Sequence, residues 1–389
     1  MNGRCTLVHC IHMLILLGVA MLMSGCWNYL DIDRRGIVLG IGIERVEGQL
    51  QVTIDVANPE TTVGSVGGGS TSTGGKGPLI LMERGSSLNE IWEQFESQID
   101  RHLYLKFLQV VVIHESVARE GFEDIVDYVR RSPLVSLTPC FYLTSEPIEK
   151  IIGFSPVIGH DPSIWLHTVS DNFREQANFP RCIEVWRLIR SLSNRGIGFM
   201  PRLVWRNNRP ALWGAGIHVM DEQGRLQFAG WLDAEEYQGS EWWNNRIDGA
   251  TARVPCGKGY LVAELRQNGR KMELQNRGNS ISIRLEVRAE AAIREISQLC
   301  KMELKGKDHF QWAGDQISKE ILRKVFLALQ KARQMRADFL GIGNKAMIDN
   351  PQLWNEMKQQ SGSLNIPQML EFPVEAIVKV NVAEMGEIR

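Results

Sequence analysis

Acidic side chains at Asp233, Glu235 and Glu236 form a cluster that could carry acid–base chemistry. Two carboxylates can act as general acid and general base when their surroundings separate their pKa values. The cluster directly follows a predicted strand, and a solvent-exposed turn explains the same residues equally well. We therefore interpret the three carboxylates as structural and expect no catalysis from them.

Other motifs of catalysis or cofactor binding are incomplete in this chain. Gly75-Lys76 lies in a glycine-rich segment, but a phosphate-binding P-loop needs glycine where Ser70 stands and Ser or Thr where Gly77 stands. Neither an H-E-x-x-H zinc motif nor a G-x-S-x-G nucleophile elbow occurs in the sequence. The sequence thus predicts no enzyme activity, no bound metal and no cofactor.

The N-terminus carries a stronger chemical signal. Residues 13–23 are all apolar, a run too short for the roughly 20 residues that cross a bilayer but suited to the core of a signal peptide. The run ends in Met23-Ser24-Gly25-Cys26, which resembles a bacterial lipobox with Met where Leu is usual. We expect cleavage between Gly25 and Cys26, loss of residues 1–25, and S-diacylglycerol and N-acyl groups on Cys26. The alternative is a short buried helix with an ordinary cysteine.

Four cysteines remain beyond Cys26, namely Cys140, Cys182, Cys256 and Cys300. They allow three pairings if two disulfides form, and no C-x-x-C pair marks a zinc site. From the sequence we expect four single buried thiols.

Composition limits the class of protein. The chain has 389 residues, of which 44% are hydrophobic and 23% charged, as in ordinary folded proteins. Its net charge is −1, whereas a general nucleic-acid binder usually carries a basic excess. We therefore expect two or three folded domains and no nucleic-acid partner.

The first half of the chain alternates between strand and helix patterns. Residues 36–43 and 49–57 alternate like a β-hairpin turning at Glu47-Gly48, and residues 107–113 are typical of a buried strand. A helix is predicted from Ser86 or Ser87, with Glu90 completing a capping box. Residues 64–78 lack an apolar period and predict a mobile exposed loop.

Strand patterns dominate the second half. Residues 211–219 and 225–232 predict one hairpin, and Asn268-Gly269 predicts a tight turn in another. A long helix is expected at about 314–337 and a final strand at 372–382. The fold class is thus α+β (mixed α/β), with an N-terminal domain of alternating strands and helices at 26–200 and a β-rich C-terminal domain at 201–389. A further division near 275–280 would give three domains.

Tryptophan is concentrated in the middle of the chain, with seven residues between Trp165 and Trp243. Exposed indoles can stack on sugars or contact a partner, although packing in the core is the simpler explanation. This segment favours a lipid-anchored solute- or glycan-binding protein as the alternative function. An anchored cell-wall enzyme is a second alternative, which the missing motifs oppose.

Several sequence blocks, in this order behind the lipobox, resemble the Ger(x)C lipoproteins, the C subunits of bacterial spore germinant receptors. The matching blocks are Cys26-Trp27, residues 37–44, 101–104, 108–113, 214–217, 230–236 and 337–343, with Pro351 and Trp354.

This resemblance implies a non-enzymatic subunit with a family-specific fold of several α/β domains. It implies attachment to the outer face of the spore inner membrane through the lipid anchor. It also implies assembly with an integral A-type subunit and a B-type subunit in a nutrient germinant receptor.

Overall fold

The computed structural model describes Met13 and residues 34–57, 79–157, 161–172, 180–277, 280–300 and 307–383. These residues form a two-domain protein of mixed α/β class, as the sequence predicted. The predicted modification site at Cys26 and the predicted loop at 64–78 lie outside the described residues.

The N-terminal part contains the predicted alternation of strands and helices. Its elements are β1 (Arg35–Val46), β2 (Gln49–Val56), β3 (Leu79–Gly85), α1 (Leu88–Gln98), β4 (His102–Tyr104), β5 (Val110–His114), α2 (Glu115–Glu120), α3 (Glu123–Arg131), β6 (Cys140–Thr144), α4 (Ile148–Ile152), α5 (Pro162–Asn172), β7 (Ile183–Glu184), α6 (Val185–Arg195), β8 (Ile197–Arg206), β9 (Arg209–Met220) and β10 (Leu226–Leu232).

All ten of these strands belong to one sheet. Its main order is β10-β9-β8-β6-β5-β1-β2-β3, with β4 paired to β1 and β7 paired to β6. The central strands β1, β5, β6 and β8 run parallel to one another. Parallel central strands are covered on both faces, which explains why Val110, Val112 and Phe141 are all fully buried.

Local sequence signals determine the elements at one end of this sheet. The β1–β2 hairpin turns at Glu47 and Gly48, both of which have positive φ. At the start of α1, the Ser87 hydroxyl accepts the backbone N–H of Glu90, and the Glu90 carboxylate accepts the backbone N–H of Ser86 at 2.8 Å. The predicted hairpin and the predicted start of α1 are both confirmed.

The C-terminal part is a four-stranded sheet covered by helices. Its elements are α7 (Ala234–Asn244), β11 (Ala250–Cys256), β12 (Gly259–Arg277), β13 (Ser280–Ile296), α8 (Lys307–Met335), α9 (Ile342–Asp349), α10 (Pro351–Ser361) and β14 (Val374–Ala383). The strand order is β11-β12-β13-β14, antiparallel except for the parallel last pair.

The turn predicted at Asn268-Gly269 is wrong. Both residues lie inside the 19-residue strand β12, where the pairing with β13 shifts register between Gln267 and Gly269. The signal therefore marks a β-bulge, which inserts an extra residue without ending the strand. Pairing continues to the far end of the ladder, where Gln275 lies opposite Ser282, so the sheet is continuous on both sides of 275–280.

The long helix α8 packs against α7 over an apolar stripe. Ile317, Ile321 and Val325 on this stripe are buried, as the helical period predicted. The buried indole of Trp243 on α7 donates to the backbone carbonyl of Val325 at 3.0 Å. At Gly239 the two helices approach so closely that a Cβ would lie 2.1 Å from the Lys324 carbonyl oxygen, which requires glycine there.

The two parts of the chain meet at strands β8 to β10. The predicted boundary at 200/201 falls within β8, and the first sheet continues to Leu232. Side chains of β8 and β9 enter three hydrophobic clusters. Met200 lies in the cluster that includes α1, α3 and α6, and Leu203 and Leu212 lie in the cluster that includes α4 and α5. Ile217 lies in the cluster of the C-terminal sheet. These strands are therefore shared packing surfaces, and the division at 26–200 and 201–389 stays a prediction.

The expectation of four single thiols is wrong. Cys140 is bonded to Cys182 and Cys256 to Cys300, with Cα–Cα distances of 5.3 and 4.9 Å. Sequence spacing alone could not reveal these pairs because each joins residues brought together by the fold. Cys182 lies beside β6 because β7 pairs with that strand, and Cys300 lies near the end of β11.

Candidate functional site

The acidic cluster on α7 joins two helices. Asp233 is the N-cap of α7, accepting the backbone N–H of Glu236 at 2.8 Å, while the Glu236 carboxylate accepts the backbone N–H of Asp233 at 2.8 Å. Glu236 also lies 3.3 Å from the ammonium of Lys331 on α8. Both carboxylates are thus used as a capping box, which supports the interpretation of this cluster as structural.

The third carboxylate of the cluster is held by an arginine. Glu235 pairs with the guanidinium of Arg323 on α8 at 2.6 Å, and the same guanidinium contacts Glu320 at 2.8 Å. The hydrogen bonds from Arg323 lower the pKa of Glu235. A general acid would need its pKa raised toward neutrality, so the electrostatics oppose a catalytic role for Glu235.

Neither His114 nor His218 is placed for catalysis. His114 Nδ1 accepts the backbone N–H of Ser116 at 3.1 Å and caps α2. His218 is fully buried between Phe122 and Phe228, and this burial lowers its pKa to about 3. Among the described residues, no hydroxyl, thiol or carboxylate hydrogen-bonds the His218 ring.

The described ranges contain no group of three or more His, Cys, Asp or Glu side chains that could hold a metal ion. In the same part of the chain, no helix is both long and apolar enough to cross a membrane.

The tryptophans of the middle segment do not form an open stacking surface. Trp242 and Trp243 are in the core, and Trp186, at 38%, is the one of the seven that is clearly exposed. Several indole faces are already covered by cations: Arg206 lies 3.6 Å from the ring centre of Trp213, and Arg202 lies 4.4 Å from that of Trp231. These contacts weaken the case for a glycan-binding platform.

One buried polar centre was missed by the sequence analysis. The Asp338 carboxylate accepts the backbone N–H groups of Gly341, Ile342 and Gly343 at 2.9, 3.0 and 2.6 Å. Burial raises the pKa of Asp338, while these three donors and the Arg195 charge oppose that shift. Gly341 has φ +80°, the left-handed conformation that favours glycine. The Asp-x-x-Gly spacing after a long helix was the available signal.

Two family profiles match this chain in order. The Spore germination protein N-terminal domain matches residues 28–204, and the Spore germination B3/GerAC like, C-terminal domain matches residues 215–386. Together they cover nearly all of the described structure.

Full-length relatives agree with the profiles. The chain is 23% identical to spore germination protein KC of Bacillus subtilis (strain 168) over 95% of this chain and 96% of the relative. It is 20% identical to spore germination protein YndF of the same organism over 86% of this chain and 88% of the relative.

The fold also resembles a solved structure. A crystal structure of the GerBC protein superposes with a TM-score of 0.56 at 14% identity, covering 88% of this chain and 96% of that chain. The architecture is thus that of the two-domain, mixed α/β germination proteins. With both profiles matched in order, the chain belongs to the Ger(x)C family of spore germination proteins.

Proposed function

We propose that this protein is a non-enzymatic, lipid-anchored subunit of a spore nutrient germinant receptor. It would assemble with A-type and B-type integral subunits on the outer face of the spore inner membrane. The observation that carries the proposal is the ordered match to both germination profiles along the chain, together with the end-to-end alignment to germination protein KC.

Two independent features support export, and the first of them also supports anchoring. The Met23-Ser24-Gly25-Cys26 segment has the pattern of a lipobox behind an apolar run. The pairs Cys140–Cys182 and Cys256–Cys300 are disulfides, which form and persist in oxidising compartments outside the bacterial cytoplasm. Both features agree with a protein that matures beyond the cell membrane.

The structural roles of the candidate catalytic residues support the absence of enzyme activity. Asp233 and Glu236 cap α7, and Glu235 pairs with Arg323. A protein of this kind would act by contact with its partners, transmitting a state of the receptor without turning over a substrate.

The anchor is tested by replacing Cys26 with alanine. We expect labelled fatty acid to enter the wild-type protein but not Cys26→Ala, and the variant to be lost from spore membranes with its nutrient response. Germination by routes that bypass receptors should be unchanged. Cys10→Ala, which removes a thiol from the signal segment only, is the matched control and should behave as wild type. An unlabelled wild type, or a Cys26→Ala strain that responds normally, would overturn the anchor.

Assembly is tested by purification of the tagged protein from detergent-solubilised spore membranes. We expect A-type and B-type subunits to co-purify with it. A protein recovered alone from membranes that contain both subunits would contradict the receptor role even if the lipid anchor is present.

A further inference from the structure

We propose that the edge of the ten-stranded sheet where β1, β5 and β6 begin lies against the surface of an anionic lipid bilayer. The inference rests on the proposed lipid anchor at Cys26 and adds to it a membrane-contacting surface on the folded domain.

An exposed apolar row occupies this edge. The parallel pairings of Gly40 with Val110 and of Val110 with Cys140 align the first residues of β5 and β6 with the sixth residue of β1. Phe107 and Leu137 each precede the first paired residue of their strand by three positions, so both lie at this end of the sheet. Phe107 is 52% exposed and Leu137 39%.

The row continues to Trp186 at the start of α6. The backbone N–H of Trp186 donates to the carbonyl of Leu137 at 3.2 Å, so the two residues are neighbours. Trp186 is also more than one-third exposed. We define Phe107, Leu137 and Trp186 as the apolar row.

Aromatic rings and cations surround the apolar row. The ring of Tyr104 lies 5.8 Å from that of Phe107, and the Arg35 guanidinium lies 4.6 Å from the Tyr104 ring. At the other end, the Arg187 guanidinium lies 5.0 Å from the Trp186 ring and also pairs with Glu184 at 2.8 Å, so Arg35 is the cation here whose charge supports contact with anionic headgroups. Trp and Tyr favour the interface between lipid and water, and basic side chains near it are attracted to anionic headgroups. This composition fits an anionic membrane surface.

The position of the anchor selects the same edge. β1 begins at Arg35, and only nine residue steps separate Arg35 from Cys26. A fully extended chain of that length spans at most about 30 Å. The other end of β1, at Val46, is about another 40 Å away at the rise of a β-strand. The tether therefore sets a shorter maximum distance from the bilayer for the start of β1, and for the apolar row near it, than for the far end of the strand.

The surface and the anchor would have different roles. Two acyl chains are sufficient for stable attachment. Contact between the apolar row and the headgroups would instead fix the orientation of the domain on the membrane.

A fluorescence experiment on the full-length lipidated protein tests this orientation. The four cysteines of the folded part are paired, so a cysteine introduced as Leu137→Cys offers a single thiol for an environment-sensitive fluorophore. Ser145→Cys is the matched control, because Ser145 is exposed just beyond the opposite end of the same strand β6. The proteins are reconstituted in vesicles of phosphatidylethanolamine and phosphatidylglycerol that carry a nitroxide-labelled lipid.

We expect the nitroxide lipid to quench most of the emission at position 137 and little at position 145. Quenching at 137 should weaken in vesicles of neutral phosphatidylcholine. A second label at Phe107→Cys should behave like position 137, which guards against a local defect in one variant.

Co-flotation of the labelled proteins with vesicles, without stronger quenching at 137 and 107 than at 145, would overturn the membrane surface but leave the anchor intact. Protection from an aqueous quencher in spore membranes without lipid quenching would assign the row to a protein partner instead. A wild-type protein that does not float with vesicles would overturn the anchor and the inference that depends on it.

Discussion

The buried carboxylate of Asp55 on β2 accepts a hydrogen bond from the backbone N–H of Ser163 on α5, 3.2 Å away. Both side chains are fully buried, and within the described residues the second Asp55 oxygen has no hydrogen-bond partner of normal geometry. Burial raises the pKa of Asp55 from 3.8 to about 6. The contact between this face of the sheet and α5 is therefore sensitive to pH.

We predict that Asp55 makes the folded state less stable as pH rises. The folded protein holds the Asp55 proton up to about pH 6, whereas the unfolded chain releases it near pH 4. The contribution of Asp55 to the free energy of unfolding is thus fully present below pH 4, falls between pH 4 and 6, and stays reduced above pH 6. Asp55→Asn should raise the free energy of unfolding at pH 7 to 8 by on the order of 2 kcal/mol and change it little at pH 4. Urea unfolding at the two pH values measures the difference, and an equal effect at both would contradict the prediction.

Loss of the α7 cap should lower stability. Asp233→Ala removes the acceptor for the Glu236 backbone N–H and should reduce the free energy of unfolding by about 1 kcal/mol. Asp233→Asn keeps an acceptor oxygen and should cost much less. Chemical denaturation compares the three proteins, and an Asp233→Ala variant as stable as the wild type would show that the cap contributes nothing.

Gly341 should tolerate no branched side chain. Its φ of +80° places it in the left-handed region, where a residue with a Cβ costs roughly 1–2 kcal/mol and valine more. Gly341→Val should therefore lower the melting temperature of the C-terminal domain or its docking. Gly269→Val is the control, because the nearest atoms to its Cβ would be 3.9 Å away and its φ is not positive. An unchanged melting temperature and normal germination of the Gly341 variant would refute this prediction.

The two disulfides should stabilise the fold by restricting the unfolded chain. Their sequence separations of 42 and 44 residues correspond to about 4 kcal/mol each in the chain-entropy model. Replacing Cys256 and Cys300 together by alanine should lower the melting temperature strongly. Peptide mapping without reductant should recover both disulfide pairs, whereas alkylation of all four thiols in unreduced protein would exclude them.

Local signals predicted the elements that local interactions build. Ser87 and Glu90 cap α1 within a few residues of each other, and the apolar stripe of α8 follows from its own helical period. The hairpin of β1 and β2 likewise depends on a turn at Glu47 and Gly48. Each of these could be predicted because the stabilising partners are close in sequence.

Interactions between distant residues explain the errors. Asn268 and Gly269 have the composition of a turn, but β13 pairs with β12 on both sides of them and extends the strand through a bulge. The pair of Glu235 with Arg323 joins residues 88 positions apart. No local pattern indicates such contacts. The sequence could therefore suggest a turn at the acidic cluster, but it could not show that Arg323 is the partner of Glu235.

Strands β8 and β9 have a mechanical consequence because their side chains enter three separate hydrophobic clusters. A hinge between the two halves of the molecule would have to separate Ile197, Ala215 and Ile217 from the hydrophobic cluster of the C-terminal sheet. The two halves should therefore move as one stiff unit. A force applied to the C-terminal sheet should be transmitted with little loss to the opposite end of the molecule.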